Sequence, residues 1–421
     1  MKIVEVTIDK LVHGGQGLAT LPDNRKVFVW GVLPGEKVTI RIIKSKKSYA
    51  EAIAEEIIEP SPNRISPKEQ NYLATSPWQI IPLSKENEYK KAIVDELFTH
   101  EGIRIPSQWQ MVAAENEWQY RNKMEYSFWG DEAGLHLALH RRGSHQKEIV
   151  TGSELAMPAL DRAANDLVAA LQTTDCRAGD LKTVVVRCDA KGEAVAALFV
   201  KPTEFVQLSL PSTLKGLRVY HSNPKSPASV PTELLYELGD CQLQDTLLGR
   251  TFTYDVDSFF QVNIPVFEQA LERIKQECAG MPIIDMFGGV GSIGLSVAGS
   301  ACTIIESHPA TVAMARINAQ QASDISAEVI ESPSEKATEY LSANNVLIVD
   351  PPRAGMHANL TAEILRVRPP KVVYLSCNPA TQARDLALLQ EAYDVSSFEG
   401  YNFFPHTPHI ETLAICTRRT T

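Results

Sequence analysis

The chain opens with short runs in which apolar and polar residues alternate. Residues 2–8, 26–29, 37–43 and 49–58 each read as a strand. They are separated by the turns His13-Gly14-Gly15-Gln16-Gly17 and Leu33-Pro34-Gly35-Glu36. Several short strands with turn signals between them predict a small barrel. Pro60-Ser61-Pro62-Asn63-Arg64-Ile65-Ser66-Pro67 then reads as a linker. Apolar Tyr89, Ile93, Val94, Leu97 and Phe98 recur near helical spacing and predict a helix over 86–100, ended by Gly102. Strands over 120–128 and 135–139, a helix over 159–172 and a mainly-β stretch over 181–255 follow. From Asn263 the rhythm changes to strand and helix in alternation. Helices are predicted over 264–278, 292–298, 309–321, 358–366 and 379–391. Strands are predicted over 283–286, 302–306, 326–330, 346–349, 371–375, 394–398 and 411–417. Alternation with crossover spacing means a doubly wound, mostly parallel sheet. The fold class is therefore α/β, in three expected domains. Residues 1–60 form a β-barrel, 61–255 a central α+β domain rich in strands, and 256–421 the doubly wound domain, on which the helix over 86–100 packs.

Composition narrows the class. Across 421 residues the chain is 44% hydrophobic and 22% charged, ordinary for a globular protein. No apolar run approaches the roughly 20 residues of a membrane helix. The first residues alternate like a strand and lack a signal-peptide core, so a cytoplasmic protein is expected. The 7 cysteines lie at least 12 positions apart. That spacing excludes CxxC motifs, makes a sequence-local zinc or iron–sulfur site implausible, and suits a reducing compartment. The formal net charge is −10, yet residues 1–50 carry nine Lys/Arg against four Asp/Glu. Lys44-Ser45-Lys46-Lys47-Ser48-Tyr49 reads either as a phosphate-contacting edge or as a solvated hairpin. Arg121, Lys123, Arg141 and Arg142 stand in Tyr120–Phe128 and in His140-Arg141-Arg142-Gly143-Ser144-His145. They read as a phosphate grip, with surface charges on a β meander as the alternative.

The candidate chemistry sits at three strand ends, where open α/β sheets bind their ligands. Asp285-Met286-Phe287-Gly288-Gly289-Val290-Gly291-Ser292 lets backbone approach a cofactor. Glu306 ends the next strand, 21 residues after Asp285, where a carboxylate can accept hydrogen bonds from a ribose diol. The glycines depart from the dinucleotide GxGxxG spacing and suit an S-adenosylmethionine pocket instead. Asp350-Pro351-Pro352-Arg353 forms a stiff strand exit. Ser376-Cys377-Asn378-Pro379 places a cysteine just beyond a strand, where it reads as a nucleophile rather than as a buried structural thiol.

The barrel resembles a TRAM domain, an OB-like RNA-binding barrel, in its Gly14–Ala19 turn, Phe28-Val29 before Leu33-Pro34-Gly35-Glu36, and its basic strand. The chain as a whole resembles the S-adenosylmethionine-dependent RNA 5-methyluridine methyltransferases, of the 23S ribosomal RNA type with an N-terminal TRAM domain. The resemblance rests on Ser258-Phe259-Phe260-Gln261-Val262-Asn263, Asp285 to Gly291, Asp350 to Arg353, Ser376 to Pro379, and Phe404-Pro405-His406-Thr407-Pro408-His409-Ile410-Glu411. It implies a Rossmann-like methyltransferase domain, Cys377 as nucleophile toward uracil C6, and Glu411 as base, with His406 and His409 near it in sequence. It also implies S-adenosyl-L-methionine in a pocket lined by Gln261, Phe287, Ser292, Glu306 and Asp350. Arg353 is a further candidate, and the target uridine has to be flipped or already unpaired.

One departure bears on cofactors. Many members carry four cysteines for a [4Fe–4S] cluster, and residues 64–81 here contain none. No cluster or metal is expected, with packing by Tyr72 and Trp78 in its place. RNA is the expected partner, ribosomal rather than transfer RNA because of the barrel, and a monomer without membrane contact is expected. Three other readings stay open. They are a transfer RNA uracil-C5 enzyme, an amino-methyltransferase, which explains Asp350-Pro351-Pro352 but leaves Cys377 and Glu411 idle, and a non-catalytic RNA-binding protein.

Overall fold

A computed structural model describes residues 3–113, 115–142, 146–226, 228–278 and 280–420. Lys2 of the first expected strand, and Gly143, Ser144 and His145 of the expected basic turn, lie outside the described residues. The chain forms two compact units. One comprises residues 1–89, 116–241 and 404–408, and the other 90–115, 242–403 and 409–421.

The first unit holds two sheets. Six strands over the first 59 residues run in the order Ile3–Thr7, Lys37–Ser45, Tyr49–Glu59, Lys26–Trp30, Gly17–Thr20, Lys10–Leu11. Their alternation buries Val6, Ala19, Val27, Val29, Val38, Ile40, Ala50 and Ala52 in one cluster. Register breaks between Lys37–Ser45 and Tyr49–Glu59 curl the sheet over that core. Glu36, from the Pro-Gly turn, is fully buried and ion-paired. Its carboxylate accepts from Leu33 N, Ser61 N and both Nε and Nη2 of Arg64. The linker is thereby fastened to the barrel. The second sheet has seven strands, ordered Lys147–Ile149, Gly134–His140, Lys123–Asp131, Leu181–Cys188, Ala194–Val200, Gly216–His221, Glu233–Gly239. Helix Pro158–Gln172 covers one face with Leu160, Ala163, Ala164, Leu167 and Leu171.

Trp78 stands in the stretch that lacks the four cysteines. Its indole Nε1 donates to Gly15 O at 3.0 Å and its backbone N to His406 O at 3.1 Å. A Cβ on Gly15 would lie 2.3 Å from Pro408, so glycine is required there on space as well as on its φ of +93°. Tyr120 Oη donates to Pro405 O, and the His406 ring stacks on Trp118 at 3.9 Å. These contacts explain why residues 404–408 group with the first unit although the chain on either side belongs to the second.

The second unit is an eight-stranded sheet in the order Ser326–Glu331, Ala301–Glu306, Ile283–Met286, Val346–Val349, Lys371–Ser376, Glu411–Arg418, Tyr393–Asn402, Met111–Ala113. The first five strands are parallel. The chain moves outward from Ile283–Met286 and then returns to its other side, so the strand order reverses between Ile283–Met286 and Val346–Val349. That switch point opens a crevice at the strands' carboxyl ends. The hairpin Gln242–Leu247 and Arg250–Asp255 belongs to this unit, not to the central domain that the sequence implied up to 255. Asn318 accounts for the difference. Its Oδ1 accepts from Thr253 N, and its Nδ2 donates to Thr253 O and to Val290 O. Arg250 and Asp324 add a bidentate ion pair. Strand Met111–Ala113, which the hydrophobic pattern did not reveal, pairs in parallel with residues 400–402.

Candidate active site

Two clusters face the crevice of the second unit. On the cofactor side, strand Ile283–Met286 delivers Asp285 fully buried. Asp285 Oδ2 accepts from Gly294 N at 2.8 Å, while Oδ1 is buried without a hydrogen-bond partner among the described residues. Burial pushes this carboxyl up to about 7 against the opposing Gly294 hydrogen bond, and the nearby charge of Glu306 adds to the rise. Phe287 follows with φ +65°, a left-handed conformation that a bulky residue adopts only when its surroundings enforce it. Gly288 admits no Cβ, which would meet Ile304 at 2.6 Å. Gly294 admits none either, since a Cβ would meet Cys302 Sγ at 2.6 Å and Asp285 Oδ2 at 2.8 Å. Glu306 ends strand Ala301–Glu306 half-buried. Its Oε2 accepts from Gly289 N, and its Oε1 from Ser307 N and His308 N. The carboxylate and the glycine turn thus hold each other in place, and Ser292 begins the short helix that follows.

The second cluster lies across the switch point. Val349 pairs with Tyr374, and Ser376 with Thr412. Continued by one residue, these registers bring Asp350, Cys377 and Glu411 to the same end of three adjacent strands. Their electrostatics agree with that placement. Burial pushes the half-buried Cys377 thiol up to about 11, and Glu411 and Asp350 push the same way against Arg353. Glu411 is buried and driven well above the usual carboxylate range, first by burial and then by Asp350, with Arg353 and Lys90 opposing. Asp350 sits deep with only part of its surface open. Its carboxyl is pushed up to about 7 by desolvation and by the charge of Asp285. Asn378 caps helix Pro379–Leu389, accepting from Ala380 N, and its Nδ2 donates to Arg353 O at 2.9 Å. The Cys377 turn and the Asp350-Pro351-Pro352-Arg353 turn are therefore locked together. Arg353 Nη2 lies 3.3 Å from His409 Nδ1.

Gln261 is buried in the segment between the hairpin and helix Ile264–Cys278. Within that segment Phe260 stacks on Tyr254 at 4.2 Å, whereas Phe259 is 60% exposed. Asn263 Nδ2 donates to Phe403 O, and its Oδ1 is buried without a partner among the described residues. Cys377, Glu411, Gln261, Phe287, Ser292, Glu306 and Asp350 all lie in the second unit, as do Arg353 and His409. His406, by contrast, belongs to the first.

Sequence reasoning passed over two residues of this unit. Asp285 was read only as a strand end. Lys90 is fully buried, donates to Asn402 Oδ1 at 2.8 Å, and opposes the rise of Glu411. Its signal was present, because Lys90 lies three and four positions before Ile93 and Val94 on the buried face of helix Leu83–His100.

The basic residues expected to grip phosphate belong to the first unit. Arg121 lies over the Phe404 ring and Arg142 over Trp30. The Nε of each is buried without a hydrogen-bond partner among the described residues. Burial and the charge of Arg121 lower Arg142. Arg141 pairs with Glu148 and Lys44 with Glu51, whereas Lys46 and Lys47 are exposed at a hairpin. Among the described residues no three His, Cys, Asp or Glu gather as a metal site, and no helix is long and apolar enough to cross a membrane.

The doubly wound sheet, its glycine turn and the strand-end carboxylate form a crevice of the kind that S-adenosylmethionine-dependent methyltransferases use. Known proteins narrow this further. Residues 242–419 match the tRNA (uracil-5-)-methyltransferase family model, and residues 1–54 match the TRAM domain. An RNA methyltransferase of Lactobacillus johnsonii, described as uncharacterized, is 30% identical over 99% of this chain and 98% of its own. One of Lactiplantibacillus plantarum, described likewise, is 29% identical over 99% and 97%. The crystal structure of the Pyrococcus abyssi tRNA (uracil-54, C5)-methyltransferase with S-adenosyl-L-homocysteine superposes over 98% of this chain and 100% of its own. Its TM-score is 0.76 at 22% identity, which shows a shared fold. The chain belongs to the S-adenosylmethionine-dependent RNA uracil-C5 methyltransferase family.

Proposed function

We propose that this chain methylates C5 of one uridine, in ribosomal RNA, through a transient covalent bond between Cys377 Sγ and uracil C6. The reading is carried by the register that brings Cys377, Glu411 and Asp350 to one end of adjacent strands. S-adenosylmethionine would supply an electrophilic sulfonium methyl, and the turn at Gly289, where nothing stands within 4 Å of a Cβ and whose N–H is held by Glu306, leaves room for such a cofactor. Glu306 would accept from its ribose diol, and Gln261, Phe287, Ser292 and Asp350 would line the rest of its pocket.

Uracil C5 is a weak nucleophile. Addition of the Cys377 thiolate to C6 moves the C5–C6 π pair onto the C4 carbonyl and makes C5 enolate-like. C5 would then take the methyl, with the S–CH3 bonding pair left on the sulfur of departing S-adenosyl-L-homocysteine. Glu411 removes the proton left on C5, the double bond reforms, and Cys377 leaves as thiolate. Glu411 suits this role because its buried carboxylate is held poorly solvated and is therefore a stronger base than an exposed one. Asp350 hydrogen-bonds the uracil. Phe259 offers an open ring face on which an unstacked base can rest. Arg121 and Arg142, each with an unpartnered Nε, take phosphates.

The choice of ribosomal RNA rests on the barrel. A second reading, transfer RNA, is favoured by the Pyrococcus tRNA (uracil-54, C5)-methyltransferase, which aligns with almost the whole chain, barrel included. Labelled methyl transfer to ribosomal and transfer RNA transcripts, followed by nucleoside analysis, decides. The expected product is 5-methyluridine from the ribosomal transcript. The same nucleoside from transfer RNA alone would move the target, and an N-methylated adenosine or cytidine would sink the C5 reading.

A further inference from the structure

The face of the seven-stranded sheet that helix Pro158–Gln172 leaves uncovered carries a cleft of about 500 Å³. Its walls include Lys147, Lys182, Lys201, His140, Thr183 and Ser229. Three lysines in one cleft repel one another, and the arrangement has structural causes. Lys182 stands at the register break between Leu181 and Thr183, where the bulge frees its side chain from the ladder's alternation. Its Nζ donates to Ser222 Oγ, Asn223 O and Ala228 O, and so is fixed at the rim. Lys147 Nζ donates to Phe128 O at 2.9 Å and Lys201 Nζ to Gly179 O at 2.7 Å. Each of those two ammonium groups has three protons and spends one on these backbone acceptors. No ion pair neutralises any of the three among the described residues, and Glu125 is the one acid at the wall. Partial burial lowers Lys147 and Lys182, and Lys201 lowers both further. The Thr183 and Ser229 hydroxyls, 2.5 Å apart, face the same space.

We propose that this cleft is a phosphodiester-binding site, which takes the backbone of an RNA segment away from the target uridine. The inference rests on the reading of the chain as an RNA enzyme. Two half-buried ammonium groups with spare protons, a third held at the rim and the Ser229 hydroxyl, which accepts from Thr183 and keeps its own proton to donate, match the negative oxygens of successive phosphates. They present nothing shaped to a base edge, so the site adds affinity and register rather than sequence choice. It adds Lys147, Lys182 and Lys201 to the phosphate contacts that the sequence suggested for the central domain through Arg121, Lys123, Arg141 and Arg142.

The test uses the full chain and two double variants, Lys147→Gln/Lys201→Gln and Lys147→Arg/Lys201→Arg. Affinity for a ribosomal and a transfer RNA transcript is measured across salt concentration, beside kcat and KM for methyl transfer. Loss of two phosphate contacts should flatten the slope of log affinity against log salt by about 1.4 to 1.8 for the glutamine pair. KM for RNA should rise roughly tenfold with kcat at saturation unchanged, and the arginine pair should keep the wild-type slope. A wild-type slope and KM in the glutamine pair would overturn the site. Equal loss in the arginine pair would overturn it too, by showing that packing rather than charge matters. If no methylated product forms with any RNA, the catalytic reading fails while the salt slope still answers for the cleft.

Discussion

Glu306 and Glu411 are both glutamates at strand ends of one sheet, and their surroundings make them different reagents. Glu306 is half-buried and already serves as acceptor for three backbone N–H groups, from Gly289, Ser307 and His308. Such a carboxylate is held in one orientation, fit to accept from a ligand's hydroxyls. Glu411 is buried beside Asp350 and Cys377, where burial and neighbouring negative charge favour its protonated form. A carboxyl so placed exchanges a proton readily once substrate changes its surroundings. The contrast teaches that position at a strand end selects a residue for the site, while desolvation selects its role.

The largest expected effect separates chemistry from binding. Cys377→Ala should reduce methyl transfer to background while RNA affinity, read by filter binding, stays within about threefold. Next, Glu411→Gln should lower turnover by roughly 10² to 10⁴, the range for loss of a positioned base. The covalent RNA complex should accumulate in that variant, because methylation precedes the blocked step, and a denaturing gel reads it directly. Glu306→Gln should act on the other side of the comparison. Loss of a charge-assisted acceptor should raise KM for S-adenosylmethionine by roughly ten- to a hundredfold, with kcat less affected. If Glu306→Gln trapped an adduct and Glu411→Gln did not, the two roles would be exchanged.

Effects of pH sharpen the same contrast. In the proposed mechanism Cys377 and Glu411 both act deprotonated, and both are shifted upward. Adduct formation should therefore climb between about pH 7 and pH 9, approaching tenfold per unit, as the thiolate fraction grows. A plateau from about pH 6.5 would contradict the raised thiol. For stability the sign runs the other way. Asp285 and Asp350, each pushed to about 7, contribute stability below the ordinary carboxylate range that is lost as pH rises through about 7. The melting temperature should be higher near pH 5 than near pH 8, and Asp285→Asn should flatten that difference, on the order of a few kcal/mol. The smallest effect concerns packing. Gly294→Ala should cost about 1 to 3 kcal/mol, because its Cβ meets Cys302 and Asp285.

Most of the fold was legible because its signals are local. Periods of two and of three to four residues located the strands Ile283–Met286, Val346–Val349 and Lys371–Ser376 and the helices Ile264–Cys278 and Pro309–Gln321 within a residue or two. The strand-end motifs were legible for the same reason, since Gly, Pro and Asn mark sharp exits. What escaped depends on partners distant in sequence. The hairpin ending at Asp255 joins the second unit through Asn318, some sixty residues on, and nothing in its own pattern reports that bond. Residues 404–408 join the first unit through Trp118 and Tyr120. Lys90 escaped because a charged residue on an apolar stripe is discounted unless its acceptor, here Asn402, is known. The sequence suggested packing by Tyr72 and Trp78 but no partner for Trp78, whose hydrogen bond to Gly15 depends on the folded linker.

The central claim is covalent catalysis by Cys377, and one measurement addresses it. Protein and S-adenosylmethionine are mixed with RNA carrying 5-fluorouridine, whose fluorine cannot leave as a proton, and run on a denaturing gel beside Cys377→Ala. A denaturation-resistant complex in the wild type, absent from Cys377→Ala and mapped by mass to the peptide holding Cys377, is the predicted result. Methylated RNA with no trapped complex, or a complex that persists in Cys377→Ala, would contradict it.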